Sequence, residues 1–355
     1  MKKNLLQWTT IIPVITWLLY FSGVIPNNGI IQVIAGLLLI LSVMAAVHHS
    51  EIIAHKVGEP FGTIILAVAV TIIEVSIIIS LMVAGGKEAA SLARDTVFSA
   101  TMLILNGIIG LCLFIGSLKF HEQSFSKHSV TIALVSLVSI VVLTMVFPSY
   151  TSSVAGPYYS TSQLILVSVA CLIIYAFFLL AQTKRHRDYF LSGDNDEAHA
   201  TMITNREMIF SLVLLLLSLI IVVLLAKELS PTIEDIVVSY NLPKALVGVI
   251  IAAVILLPEA IAAINAARKN KLQTSINLAL GSALASIGLT IPAVATVSSI
   301  YDMKIILGLD NKSIILLGLS VFIVMLSLIS GRTNLIYGVV LLVNLLTFIF
   351  LIIHP

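Results

Sequence analysis

Long apolar runs alternate with short polar breaks along the whole chain. A helical membrane span needs about 20 apolar residues, and eleven runs are of that kind: roughly 5–25, 29–47, 60–84, 95–117, 130–147, 162–181, 208–226, 244–267, 273–300, 313–330 and 334–353. The pattern predicts an all-α polytopic membrane protein with about eleven transmembrane helices. Connections are short except for Lys184 to Arg206, which contains Gly193-Asp194-Asn195-Asp196-Glu197 and reads as a solvated linker. Met1-Lys2-Lys3 precedes an apolar run with no small-x-small cleavage site, so the first run reads as a retained helix.

The two halves of the pattern match each other. Glu74 lies in the third run and Glu259 in the eighth, five runs apart, so their helices cross the membrane in opposite directions. Each is followed by a run rich in small and polar residues: Ser99, Thr101, Asn106, Gly107 and Gly110 in the fourth, and Asn277, Gly281, Ser282, Ser286, Gly288 and Thr290 in the ninth. Internal symmetry of this inverted kind marks secondary transporters, whose sites lie near the midplane where the repeats meet. The expected organisation is a peripheral first helix (1–28), a five-helix repeat (29–183), a cytoplasmic linker (184–206) and a second, inverted five-helix repeat (207–355).

Composition agrees with a membrane chain: 59% of the 355 residues are hydrophobic, 10% are charged, and the mean hydropathy is +1.13. A soluble domain carries about 25% charged residues. The formal charge of +2 and the lack of a long basic run give no reason to expect nucleic acid as a partner. Cys112 and Cys171 both lie in apolar runs, which favours neither a disulfide framework nor a thiolate metal site. All eight histidines read as segment ends or loops. With the N-terminus cytoplasmic, inside segments hold 13 of the 19 Lys and Arg residues. That bias places the C-terminus outside.

Chemistry concentrates on the two glutamates. A charged side chain deep in a spanning helix costs roughly 2.5–3.5 kcal/mol on insertion scales, so it is kept facing the protein interior. A matched pair points to a site for a cation or for protons. Pro258 lacks an N–H, so the Val254 carbonyl loses its helical donor and is left as an oxygen one turn from Glu259. Pro292 does the same to Gly288. Thr71, one turn before Glu74, and Asn106, Ser99, Ser282 and Ser286 are further oxygen sources; Ca²⁺ takes 6–8 such ligands. Ordinary helix packing by small polar residues is the alternative for each of them. Glu59, before Pro60, reads as a helix N-terminal charge favoured by the dipole or as a mouth residue. No HExxH or GxSxG and no histidine deep in a run is present to support an intramembrane enzyme.

At these residues the chain resembles the calcium/cation antiporter superfamily, in particular the bacterial ChaA type of its cation/proton exchanger branch. LLPEAIAAINAARKNKLQTSINLALGSA follows the second-repeat motif of that branch without a gap, through Lys269-Asn270-Lys271 and Gly281-Ser282. GTIILAVAVTIIEVSIII lies along the first-repeat motif, with Glu74 on the motif glutamate and Asn106 on a later motif asparagine. The chain departs from the family where Ile72-Ile73 and Leu257-Pro258 replace Gly-Asn before each glutamate. It departs again at Ala285, where many calcium exchangers carry glutamine. The resemblance implies an inner-membrane antiporter with no resident cofactor, exporting Ca²⁺, or Na⁺ and K⁺, in exchange for H⁺ by alternating access. A Na⁺(K⁺)/H⁺ antiporter without Ca²⁺ transport is the nearest alternative, and a cation channel the next.

Overall fold

In hydrocarbon every backbone N–H and C=O needs an internal partner, and a helix supplies one for each. The apolar runs accordingly form helices in the computed structural model, which describes residues 7–25, 29–58, 61–85, 90–190, 203–240, 242–243, 245–301 and 303–354. They are α1 (Trp8–Phe21), α2 (Gly29–Val57), α3 (Phe61–Gly85), α4 (Leu92–Phe120), α5 (Lys127–Ser149) and α6 (Thr161–Arg185). The series continues with α7 (Asn205–Ser239), α8 (Ala245–Arg268), α9 (Leu272–Tyr301), α10 (Asn311–Ile329) and α11 (Leu335–Ile353). Among the described residues nine of these, α2 and α4 to α11, have the length and composition to cross a membrane. The chain is an all-α, multi-pass membrane protein. Glu59 and the 193–197 segment lie outside the described residues.

Two helices run further than their apolar patterns suggest. α2 was expected to end near residue 47 and continues to Val57. The polar residues there are inside the helix: His49 and Ser50 are buried, and the His49 Nε2 lies 3.2 Å from the Thr9 carbonyl oxygen of α1. The expectation that every histidine sits at an end or in a loop therefore fails for His49. α7 passes Lys227, Glu228 and Pro231 to reach Ser239, because Leu225, Leu229 and Val237 continue a buried apolar stripe.

The helices form two compact units. The first, Met1–Gly85 with Asp196–Val247, holds α1, α2, α3 and α7. Within it α2 packs on the other three, and Thr16 and Ser42 share a buried hydrogen bond of 3.0 Å. The Trp17 Nε1 donates to the Leu217 carbonyl at 3.2 Å.

The second unit, Gly86–Asn195 with Gly248–Pro355, holds α4–α6, α8 from Gly248 onward, and α9–α11. Its centre is α4 and α9, buried over 78% and 72% of their apolar windows, whereas no other span exceeds 50%. α9 packs on α4, α5 and α6, and α4 on α11. Small residues permit the close approach of α4 and α11, as is common between membrane helices. A Cβ on Gly338 would stand 2.5 Å from the Phe114 backbone nitrogen, and one on Gly110 3.1 Å from the Leu341 Cβ.

The loops of this unit gather at two ends. At one, Phe125 donates to the Gly331 carbonyl, Thr333 to the Gln123 carbonyl, and Lys119 to the Arg268 carbonyl. At the other, Arg94 donates to the Gly308 carbonyl and Ser149 to the Leu309 carbonyl.

The α4–α11 contact makes a measurable demand. Gly338→Ala, which drives a methyl into backbone, should destabilise the purified protein by about 1–3 kcal/mol in a thermal melt. Gly318→Ala in α10 meets open space and should stay within about 0.5 kcal/mol or stabilise slightly. Equal melting temperatures for the two variants would contradict this packing.

Candidate functional site

In the first unit the site residues are on α3. Thr71 and Glu74 are three positions apart and therefore share one helix face. Both are buried, at 5% and 4% exposure, beside the equally buried Ile73, Ile77 and Ile78, while Ile72 points outward. A buried glutamate in an apolar helix is unusual, since carboxylates are mostly exposed.

In the second unit α4 and α8 run in the same direction and meet at both ends. Their starts touch where a Cβ on Gly248 would come within 3.0 Å of the Asp95 backbone carbon. Their ends meet where the Lys119 Nζ donates to the Arg268 carbonyl at 2.9 Å. Asn106 lies eleven residues after Asp95, and Glu259 lies eleven residues after Gly248. At 1.5 Å rise per residue both stand about 16 Å along their helices from that contact. The pairing thus puts the amide and the carboxylate at one level.

The backbone around Asn106 is specialised. α4 changes from α-helix to a π-helical turn over Leu103–Ile108, and the Ile109 amide reaches the Ile104 carbonyl five residues back. Such π-turns are rare and frequently mark functional sites. The Asn106 Nδ2 donates to the Met102 carbonyl at 3.3 Å and to the Ser320 Oγ of α10 at 2.9 Å. Ser320 in turn donates to the Leu316 carbonyl at 2.8 Å. A carbonyl only accepts, so the Met102 contact fixes which way the amide points. The Asn106 Oδ1 is left fully buried with no hydrogen-bond partner among the described residues. A buried oxygen in that position is an acceptor open to a further donor or ion.

α9 carries the remaining expected oxygens. Ser286 is buried at 3% exposure and Ser282 half-buried, on the helix that packs against the π-turn of α4. Gln273, at the start of α9, holds the Ser129 hydroxyl and Asn277. The Ser99 hydroxyl donates to the Asp95 carbonyl of its own helix at 2.6 Å. Glu259 is half-buried beside the buried Pro258. α8 runs unbroken through Pro258 from Ala245 to Arg268, so the proline interrupts the hydrogen-bond ladder at the Val254 carbonyl without ending the helix. Thr71 and Glu74 belong to one unit, and Asn106, Val254, Glu259, Ser282 and Ser286 to the other. Ser320, Met102 and the π-turn did not figure in the sequence reading. Ser320 is a lone small polar residue in an apolar run, and only its place opposite Asn106 distinguishes it. No group of three or more His, Cys, Asp or Glu side chains is poised to hold a metal ion among the described residues.

Comparison with known proteins follows the same lines. The profile of the sodium/calcium exchanger protein family matches residues 28–184 and again 210–354. The y4hA protein of Sinorhizobium fredii, which carries an ionic-transporter name, is 42% identical over 99% of both chains. The sodium-potassium/proton antiporter ChaA of Escherichia coli is 30% identical over 95% of this chain and 92% of its own. Among solved structures, the H⁺/Ca²⁺ exchanger CAX superposes with a TM-score of 0.72 at 14% identity, over 96% of this chain and 88% of that one. At that identity the likeness is one of fold. Two matched segments that span most of the sequence, and a relative of this closeness along nearly its full length, make the chain a member of the sodium/calcium exchanger protein family.

Proposed function

We propose that the chain is a secondary cation/proton antiporter of the inner cell membrane that exports Ca²⁺, or Na⁺ and K⁺, in exchange for H⁺ by alternating access. The observation that carries this reading is the level pairing of Asn106 and Glu259 on two parallel helices, with the asparagine oxygen buried and aimed by Ser320. Names of relatives support it: one is a sodium-potassium/proton antiporter and a structural neighbour is an H⁺/Ca²⁺ exchanger.

Glu259 and Glu74 supply the carboxylates, and Asn106, Thr71, Ser282, Ser286 and the Val254 carbonyl supply neutral oxygens. A carboxylate at bilayer depth is costly to hold charged. A cation neutralises the two glutamates in one state, and protons in the other. Either filled state is free to change access, whereas an empty, doubly charged site is not. Exchange without leak follows from that rule, and the inward proton gradient then drives cations out. A channel would require no such coupling.

The twofold match of the family profile supports two repeats, 29–183 and 207–355, joined by a cytoplasmic linker at 184–206 after a peripheral first helix (1–28). The loop ends support the N-terminus inside and the C-terminus outside. Lys119, Lys127, Arg268, Lys269, Lys271 and Arg332 all belong to the helix ends and loops gathered at one end of the second unit. That end is then cytoplasmic by the positive-inside rule.

A Na⁺(K⁺)/H⁺ antiporter without Ca²⁺ transport is favoured by one specific feature. Ile72-Ile73, Leu257-Pro258 and the buried Ala285 offer no amide oxygens where calcium exchangers carry them. Everted vesicles decide between the two. Addition of Ca²⁺, Na⁺ or K⁺ in turn should dissipate a preformed pH gradient, and Glu74→Gln or Glu259→Gln should each abolish that response while membrane expression persists. Near-normal exchange in either variant would remove the carboxylate pair from the mechanism; a response to Na⁺ and K⁺ alone would select the second reading. Ser320→Ala should weaken apparent cation affinity about fivefold by freeing the Asn106 amide, the worth of roughly one net hydrogen bond. Unchanged affinity would show that the amide is not a ligand.

A further inference from the structure

At the end of the second unit that carries its basic loops, α4 and α8 border a groove of about 630 Å³ lined by Ile115, Leu118, Lys119, Arg268 and Lys269. Three cations line it and no carboxylate does. The nearby Glu122 is committed to Arg332, 3.6 Å away on the surface. The groove is held in shape from behind. Gly116 has no side chain, which lets Gln123 tuck against α4 and donate to the Ala267 carbonyl at 3.1 Å and the Asn270 Oδ1 at 2.9 Å. That lock, with the Lys119–Arg268 hydrogen bond, keeps the ends of α4 and α8 side by side.

The groove is also two-faced. Its basic residues stand at the last turns of two apolar spans, at the level of a membrane–water boundary. Its apolar wall is Leu118, next to Lys119 and 59% exposed, and Ile115, one turn further in. An exposed leucine inside a span is covered by acyl chain. A soluble anion would be served by the cations alone and would gain nothing from this wall. A phospholipid with a negative headgroup uses both halves, its phosphate on the cations and its glycerol and first methylenes along Ile115 and Leu118. Basic pockets between membrane helices are recognised sites for such headgroups, and the size suits a small-ligand site.

We propose that this groove is a binding site for an anionic membrane phospholipid, bridging the ends of the two helices that carry Asn106 and Glu259. The site is independent of the transported ion, and its test does not pass through transport. Purified full-length protein, stripped of lipid in neutral detergent and then given phosphatidylglycerol or phosphatidylcholine, is examined by native mass spectrometry. The wild type should retain phosphatidylglycerol in preference to phosphatidylcholine. Binding should fall roughly fivefold for each charge removed in Lys119→Gln, Arg268→Gln and Lys269→Gln.

Lys269→Gln by itself alters one exposed side chain, so its loss of lipid is readable even if a variant lacking all three charges does not fold. Wild-type retention in Lys269→Gln, equal retention of phosphatidylcholine, or displacement of the lipid by inorganic phosphate would each overturn the proposal.

Discussion

A carboxylate placed at bilayer depth must be neutralised, and the rest of this structure is arranged around that demand. Glu74 is buried in α3 and Glu259 is half-buried in α8, each within a helix that is otherwise almost wholly apolar. Burial makes the charged form of a carboxylate costly, and hydrogen bonds, a proton or a cation can each offset that cost. Neutral oxygens near a carboxylate shift the balance toward the cation, because they replace its hydration shell. In the proposed site that role falls to Asn106 of α4, whose amide hydrogens are occupied by Met102 and Ser320 while its oxygen is buried without a hydrogen bond among the described residues.

Packing determines where those oxygens stand. Gly248 allows the start of α8 to meet the backbone of α4, and the register set there brings Asn106 and Glu259 to one level. Gly110 and Gly338 hold α11 against the other side of α4. The π-turn over Leu103–Ile108 lies between these contacts. The compact units do not coincide with the two sequence halves: each draws helices from both, as expected when neither half can bury its small-residue faces alone.

The fold was largely legible in the sequence because hydrocarbon leaves the backbone so few options. Each of the eleven apolar runs is a helix. What misled was polarity at helix ends. His49 and Ser50 read as the close of a span, yet both are buried against neighbouring side chains, and α7 carries on through Pro231 because its apolar stripe does. Of the site, the glutamates stood out because nothing else explains charge at that depth, and Asn106 stood out by its place in a repeated pattern. Ser320 and the π-turn were invisible. A serine in an apolar run has no signature of its own, and one extra residue in a helical turn depends on contacts with α10 and α11 that no local pattern encodes.

The central claim is that protons and metal cations exclude each other at one pair of carboxylates. Proton release from detergent-solubilised protein in weak buffer, on addition of Ca²⁺ or Na⁺, measures that exclusion without a membrane or a gradient. The account predicts saturable release by the wild type, lost in Glu259→Gln and in Glu74→Gln. Cation binding that liberates no protons from the wild type would contradict it.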